Sequence, residues 1–321
     1  MTRGLVIGKF MPLHFGHIAL IRFAASQCDE LIVSMTYKPT DPISGELRFS
    51  WIKEYFNNDP KIRPTSNVDD FDPESEPITE RIKLWAVFIK KNFSPIDIIF
   101  SSEAYGDSFA RELGIKHISF DPERKLTPVS AINIRQNTFE YWPFIPEPVR
   151  PFFVKKICFY GPESTGKSVM AQRFAEIYHT EFVPEVAKDI ITSNVFTLDD
   201  IIRIGQGQTE RVKEKQKSAN RILFCDTDVI TTEIYSRKYL GTVPEILFEL
   251  EKVTQYDLYF LFDIDVPWVP DGIRDLNDQR EEMMRIFKEE LIKRKIPFIL
   301  VKGTWAQREE IIKKAVDSLI S

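Results

Sequence analysis

Two short stretches of this 321-residue chain gather the residue types that handle phosphate. The first is Gly8-Lys9-Phe10-Met11-Pro12-Leu13-His14-Phe15-Gly16-His17. Histidine is rare, four in all, yet His14 and His17 fall in this one H-x-G-H tetrapeptide. Imidazoles donate hydrogen bonds to phosphoryl oxygens where charge builds. Pro12 and Gly16 form turns that let backbone approach a ligand closely, so Gly8, Lys9 and Phe10 become candidate nucleotide contacts. Zinc is the competing use of His-x-x-His, but no third ligand with suitable spacing lies nearby. Farther on, Ser130-Ala-Ile-Asn-Ile-Arg135 opens a helical stretch after Pro128. A serine at a helix start and an arginine in the next turn make a second phosphate-binding device.

The second stretch, Gly161-Pro-Glu163-Ser164-Thr165-Gly166-Lys167-Ser168, fits G-x-x-x-x-G-K-[ST] between an apolar run and a helical pattern. That is the strand–loop–helix setting in which backbone N–H groups curl around phosphate oxygens. Lys167 is expected to reach the β- and γ-phosphates, and Ser168 to ligate Mg²⁺. The run Ile222-Leu-Phe-Cys-Asp226 ends in a carboxylate, placing Asp226 at a strand tip beside that loop. Asp226 can hold the Mg²⁺ shell or take a proton from an acceptor hydroxyl. Asp228 can do either, or cap the helix that follows. Glu185 can accept hydrogen bonds from ribose hydroxyls, or be a first-turn helix glutamate. In Trp268-Val-Pro-Asp271-Gly272-Ile-Arg274, Arg274 is either a clamp on the transferring phosphoryl group, with Gly272 as hinge, or a solvated loop charge. Trp268 is a lid anchor or a stacking platform.

These residues need elements to position them. Both halves alternate short apolar runs with helix-period segments, which predicts two doubly wound parallel α/β sheets. Ligands then sit at strand carboxyl ends, next to helix N-termini. Strands are expected over Gly4–Gly8, Leu31–Thr36, Ile96–Ser101 and His117–Phe120, then over Lys156–Tyr160, Arg221–Cys225, Leu258–Phe262 and Pro297–Val301. The segment YWPFIPEPVRP, with Pro143, Pro146, Pro148 and Pro151, reads as a stiff linker that packs through Trp142, Phe144 and Phe152. It divides the chain into domains 1–147 and 148–321.

Composition narrows the function classes. The formal charge of −5 offers no basic footprint for sequence-independent nucleic-acid binding. Three scattered cysteines, never in a C-x-x-C pair, fit a reducing cytoplasm. The longest uncharged run, Phe10 to Ile21, falls short of the roughly 20 residues that span a bilayer.

The first half resembles the H-x-G-H nucleotidyltransferases that carry an I-S-x-x-x-I-R element, and the second resembles a P-loop kinase. Joined through residues 139–154, with Asp226-Thr-Asp-Val-Ile-Thr-Thr232 and the Trp268–Arg274 segment, the whole chain resembles the bifunctional NadR-type proteins. The resemblance implies a Rossmann-like nicotinamide-mononucleotide (NMN) adenylyltransferase followed by a ribosylnicotinamide kinase. The kinase half would phosphorylate nicotinamide riboside with ATP. The first half would join NMN to the adenylyl group of a second ATP, giving NAD⁺ and pyrophosphate. It assigns His14 and His17 to the ATP phosphates, Ser130 and Arg135 to the triphosphate, and Mg²⁺ to both sites. Two residues depart from the pattern. Ile132 stands where many relatives have threonine, and Lys188 where the kinase usually has arginine, whose planar two-pronged contact lysine cannot copy. The chain begins at the first transferase strand, so no operator-binding module and no DNA contact are expected. A homo-oligomer is left open. The alternatives are a kinase with a decayed transferase half and a non-catalytic regulator that senses NAD⁺ or ATP. For the nicotinamide ring the candidates are Trp268 and Trp85, the latter also placed for core packing with Ile82 and Ile89.

Overall fold

The computed structural model describes residues 1–70, 72, 75–193, 195–270 and 275–321. The chain forms two compact units, Met1–Arg150 and Pro151–Ser321.

The first unit runs β1 (Arg3–Gly8), α1 (Phe15–Ser26), β2 (Glu30–Tyr37), α2 (Gly45–Tyr55), β3 (Ile62–Val68), α3 (Ile78–Asn92), β4 (Ile98–Ser101), α4 (Gly106–Leu113), β5 (Lys116–Ser119) and α5 (Ala131–Gln136). Its strands pair in the order β3-β2-β1-β4-β5, all parallel. A parallel sheet covered on both faces needs near-continuous apolar runs. Leu5, Leu31, Val33, Met35, Ile99 and Phe100 meet that need at 1% exposure or less. Strand order reverses beside β1, so its carboxyl end opens into the crevice where such sheets bind ligands.

The sequence pattern predicts no strand over Ile62–Val68, because Pro64 interrupts a polar run. The structure pairs it with β2, Pro64 opposite Val33, at the sheet edge. An edge strand tolerates proline because its outer N–H groups have no ladder partner to lose. Near the unit's end, Trp142–Phe144 form a 3₁₀ turn with Trp142 buried. Arg150 donates from Nε to the Ile145 carbonyl at 2.9 Å and lies over the Trp142 ring. The proline-rich segment is thus packed, although Phe152 stays 46% exposed.

The second unit begins within the single turn α6 (Arg150–Phe153), at Pro151. It runs β6 (Lys155–Tyr160), α7 (Lys167–Ile177), β7 (Glu181–Val183), α8 (Ala187–Ile190), α9 (Leu198–Ser218), β8 (Ile222–Asp226), α10 (Val229–Leu240), α11 (Glu245–Val253), β9 (Leu258–Phe262), α12 (Arg280–Lys293), β10 (Phe298–Val301) and α13 (Trp305–Leu319). The parallel order is β10-β9-β6-β8-β7, with β6 central. An aromatic core of Phe159, Phe174, Phe224, Phe260 and Phe262 fills one face. Cys158 and Cys225 sit side by side in register on β6 and β8, buried and free. Helix α11 has no counterpart in the sequence reading: Leu247 is its one fully buried residue, too little to mark an apolar stripe.

Candidate active sites

In the first unit, the H-x-G-H turn links β1 to α1. His14 is the N-cap of α1: its Nδ1 accepts from the Gly16 and His17 backbone N–H groups at 3.1 and 3.4 Å. A ring nitrogen that accepts carries no proton, so the His14 proton belongs on Nε2, free to donate. The two imidazoles stack with centroids 3.7 Å apart, and Phe10 meets His17 edge-on at 5.0 Å. Burial, followed by the nearby Arg124 cation, pushes His17 down to about 3. Burial also drives His14 far below its ordinary value, with His17 and Arg124 adding to it. Both rings are therefore neutral at physiological pH. Gly16 is required here: a Cβ would stand 2.9 Å from the His14 ring.

Ser130 is the N-cap of α5, accepting from Asn133 N–H at 3.1 Å. Arg135, one turn on, donates to the Met11 carbonyl and so joins α5 to the H-x-G-H turn. Ile132, which supplies no hydrogen bond, is 56% exposed. The sequence reading missed Arg48. It is fully buried and donates to the carbonyls of Lys9 at 2.5 Å and Ile43 at 2.9 Å, with Asp41 as its counter-ion. Arg48 fastens the Gly8–Phe10 segment; a lone arginine in a mid-helix position gives no sequence signal of this.

In the second unit, the loop after β6 borders a cavity of about 630 Å³. Gly161 (φ +137°) and Gly166 (φ +89°) take backbone conformations closed to other residues. A Cβ on Gly161 would press 2.9 Å against the Phe262 carbonyl. Lys167 is buried and donates to the Pro162 carbonyl at 2.6 Å, and burial lowers its pKa. Ser168 Oγ donates to Asp226 Oδ2 at 2.5 Å. Lys188 Nζ lies 2.7 Å from Ser168 Oγ, 3.2 Å from Asp226 Oδ2 and 3.3 Å from Glu185 Oε2. Burial works against the Lys188 charge, but Asp226 and Glu185 outweigh it and hold its pKa above the ordinary lysine value. Burial, then Asp226, raises the Glu185 carboxyl.

Asp226 Oδ1 is buried with no hydrogen-bond partner. An orphaned carboxylate oxygen beside a hydroxyl, in a spot where an ammonium already lies, suits a hard, oxygen-seeking cation such as Mg²⁺. Among the described residues no group of three or more His, Cys, Asp or Glu gathers to hold a metal by itself. Mg²⁺ sites commonly complete their shell with water and substrate phosphate, as a two-residue site here would require.

The remaining candidates separate. Asp228 does not join the cavity: Oδ1 accepts from Thr231 N–H and Oγ1, each at 2.9 Å, and Oδ2 from the Tyr259 hydroxyl at 2.9 Å. Of its two readings, the helix cap is the one the structure shows, and burial pushes its pKa up to about 6. The Trp268 ring lies under the Arg280 guanidinium, 5.6 Å to the centroid, while its neighbours Pro267 and Val269 line the cavity. Arg274 and Gly272 lie outside the described residues. Gln208 is a further site residue. Its Oε1 accepts from Val186 N–H at 2.9 Å and its Nε2 donates to the Asp226 carbonyl at 3.3 Å, tying the Glu185–Lys188 segment to the β8 tip. Its helical spacing from the apolar Ile201, Ile204 and Val212, buried with it on α9, was the available signal.

Two family models match the chain: a cytidylyltransferase-like model over residues 5–137 and an AAA domain model over residues 156–308. The trifunctional NAD biosynthesis/regulator protein NadR of Salmonella typhimurium is 32% identical over 97% of this chain and 82% of its own length. The chain belongs to the NadR family. Two crystal structures of NadR proteins share its fold at 23% identity. One, in complex with NR, has a TM-score of 0.80 over 99% of this chain and 95% of that one. The other, in complex with NAD and AMP-PNP, has a TM-score of 0.79 over 99% and 96%. Family membership fits the geometry: a nucleotidyltransferase-type first unit with its H-x-G-H turn at the carboxyl end of central strand β1, and a P-loop second unit with its glycine-rich loop at the carboxyl end of central strand β6. Among the described residues no helix is long and apolar enough to cross a membrane.

Proposed function

We infer that the chain is a transferase that makes NAD⁺ in two steps. The second unit phosphorylates the 5′-hydroxyl of nicotinamide riboside with ATP, and the first transfers an adenylyl group from ATP to the resulting NMN. The observation that carries this reading is the Ser168–Asp226–Lys188 cluster on an intact phosphate loop, in a chain of this family.

In the kinase, loop N–H groups and Lys167 hold the β- and γ-phosphates. Mg²⁺ held by Ser168 and Asp226 would offset phosphate charge. Lys188 reaches the transferring phosphoryl group from the Asp226 side. Glu185, its carboxyl raised by burial, receives the ribose hydroxyls.

In the transferase, a phosphate oxygen of NMN forms a bond to the α-phosphorus of ATP, and the bond to the bridging oxygen breaks to release pyrophosphate. His14 Nε2–H and the neutral His17 donate to phosphoryl oxygens as charge grows there, and Ser130 and Arg135 bind the triphosphate. The three buried free thiols support a reducing, cytoplasmic setting.

One observation favours a second reading, a kinase with a silent transferase: Ile132 puts an exposed apolar side chain on the first turn of the phosphate-binding helix α5. Product analysis with Mg·ATP decides between them. Riboside that yields NMN and then NAD⁺ supports both transfers. Riboside that stops at NMN leaves the kinase alone, and no turnover of either substrate refutes the assignment.

A further inference from the structure

Trp305 is an indole out of place for a core residue. It is 47% exposed, yet it lines the same cavity as the phosphate loop. Its ring lies directly on that loop: a Cβ on Gly166 would come within 2.7 Å of Trp305 Cη2. The loop glycine therefore makes room for an aromatic plane as well as for phosphate.

The plane is held firmly. Thr304 caps α13 in a reciprocal pair with Gln307. One turn on, Arg308 is fully buried and donates to the carbonyls of Gly303 at 3.1 Å, Thr165 at 2.8 Å and Asp263 at 3.1 Å, with Asp265 as its counter-ion. Arg308 thus bonds the turn that carries Trp305 to the phosphate loop itself.

Topology gives the plane a side. In the order β10-β9-β6-β8-β7, Trp305 follows β10, while Glu185 follows β7 and Thr231 and Tyr235 follow β8. Glu185, which the kinase reading places at the acceptor, and Trp305 therefore reach the β6 loop from strands on opposite sides of β6. On that reading the acceptor takes the β8–β7 side, which leaves the β10 side to the donor's base. Beside Trp305 the cavity is lined by Val169, Val266, Pro267 and Val269, whose side chains are apolar, and the nearby Ser164 hydroxyl already accepts from the Val269 N–H at 2.7 Å.

We propose that Trp305 is the stacking platform for the base of the phosphoryl donor, and that this site recognises a purine by its flat face rather than by its hydrogen-bonding edge. Stacking is tolerant of base identity because every base has a π-face. The kinase unit then accepts purine nucleoside triphosphates as a class, with GTP and ITP serving within a few-fold of ATP, whereas tripolyphosphate serves poorly. The proposal rests on the kinase reading above.

The test measures ADP, GDP or IDP release, or pyrophosphate from tripolyphosphate, with nicotinamide riboside as acceptor. It compares the full-length chain with Trp305→Ala and Trp305→Phe. Trp305→Ala is expected to raise the KM for ATP and GTP alike by about 10-fold, the scale of one lost base stack, with kcat and the riboside KM little changed. Trp305→Phe should recover most of the loss. Intrinsic fluorescence gives a readout apart from turnover: ATP or GTP should quench it, tripolyphosphate should not, and Trp305→Phe should remove the quench. Adenylyl transfer to NMN in the same samples reports that the variants are folded. An unchanged KM for ATP in Trp305→Ala overturns the platform. Inert GTP and ITP overturn recognition by the face alone. If the parent chain phosphorylates riboside with none of the donors tested, that overturns the kinase reading instead.

Discussion

The Lys188 ammonium stands 3.2 Å from the Asp226 carboxylate and shares its oxygen Oδ2 with the Ser168 hydroxyl. This lysine is the counter-charge of a nearly inaccessible acid, 1% exposed. The same ammonium lies 2.7 Å from Ser168 Oγ, at the end of the glycine-rich loop. Lys188→Met should lower kcat for riboside phosphorylation by about 100-fold, as loss of a donor to developing phosphoryl charge does. Adenylyl transfer should be untouched. Steady-state kinetics of both reactions on one preparation check this.

Lys167→Ala and His17→Ala should act reciprocally. The first should abolish riboside phosphorylation and spare NAD⁺ formation from NMN. The second should lower adenylyl transfer by about 100-fold and spare the kinase. Loss of both activities in either variant would break the assignment of one site to each unit.

Gln208→Leu should harm the kinase without touching any substrate. It leaves the buried Val186 N–H without its acceptor, at a cost of about 1–3 kcal/mol. The segment bearing Glu185 and Lys188 then loses its tie to Asp226. The expected pattern is a raised riboside KM and a lower kcat, partly restored in Gln208→Glu, whose carboxylate can still accept from Val186. A thermal melt separates this from unfolding.

Acid should weaken the first unit through its histidines. His17 titrates at about 3 in the folded chain against an ordinary 6.5, so below 6.5 the unfolded state binds the proton first. The stability this confers is full above pH 6.5 and is lost as pH falls towards 3, by up to about 1.4 kcal/mol per pH unit per histidine. His14 acts in the same direction. Asp228, raised from 3.8 to about 6, has the opposite sign: its contribution is full below 3.8 and is lost as pH rises through 6. Melting temperatures from pH 7 to 4 should fall less steeply for His17→Gln than for the parent chain. An identical slope would show that His17 is not a buried neutral ring.

Where chemistry sits in contiguous residues, the sequence was legible. Gly161–Ser168, His14 and His17, and Ser130 with Arg135 all lie at strand or helix ends, where short patterns define local geometry. Asp226 was legible as the end of an apolar run. What was hidden acts across long separations. Arg48 fastens Lys9, Arg308 fastens Thr165, and Gln208 joins Val186 to Asp226, each through side-chain contacts that no spacing rule encodes. Asp228 looked like Asp226 two residues earlier, and only the Thr231 and Tyr259 hydrogen bonds mark it as the helix cap. Strand β3 was masked by Pro64, and α11 by burying a single leucine.

The central place of β6 bears on how the second unit is made during translation. Its residue Ile157 hydrogen-bonds alongside Phe224 on one side and Leu258 on the other, partners that leave the ribosome 67 and 101 residues later. The phosphate loop is thus among the first parts of this unit to be synthesised and among the last to be supported. The last bond to the loop comes from Arg308, beyond β10, so nucleotide cannot act as a chaperone for the nascent chain until that turn has emerged. After that point, ATP at cellular concentrations can pull the completed sheet towards its native form by mass action.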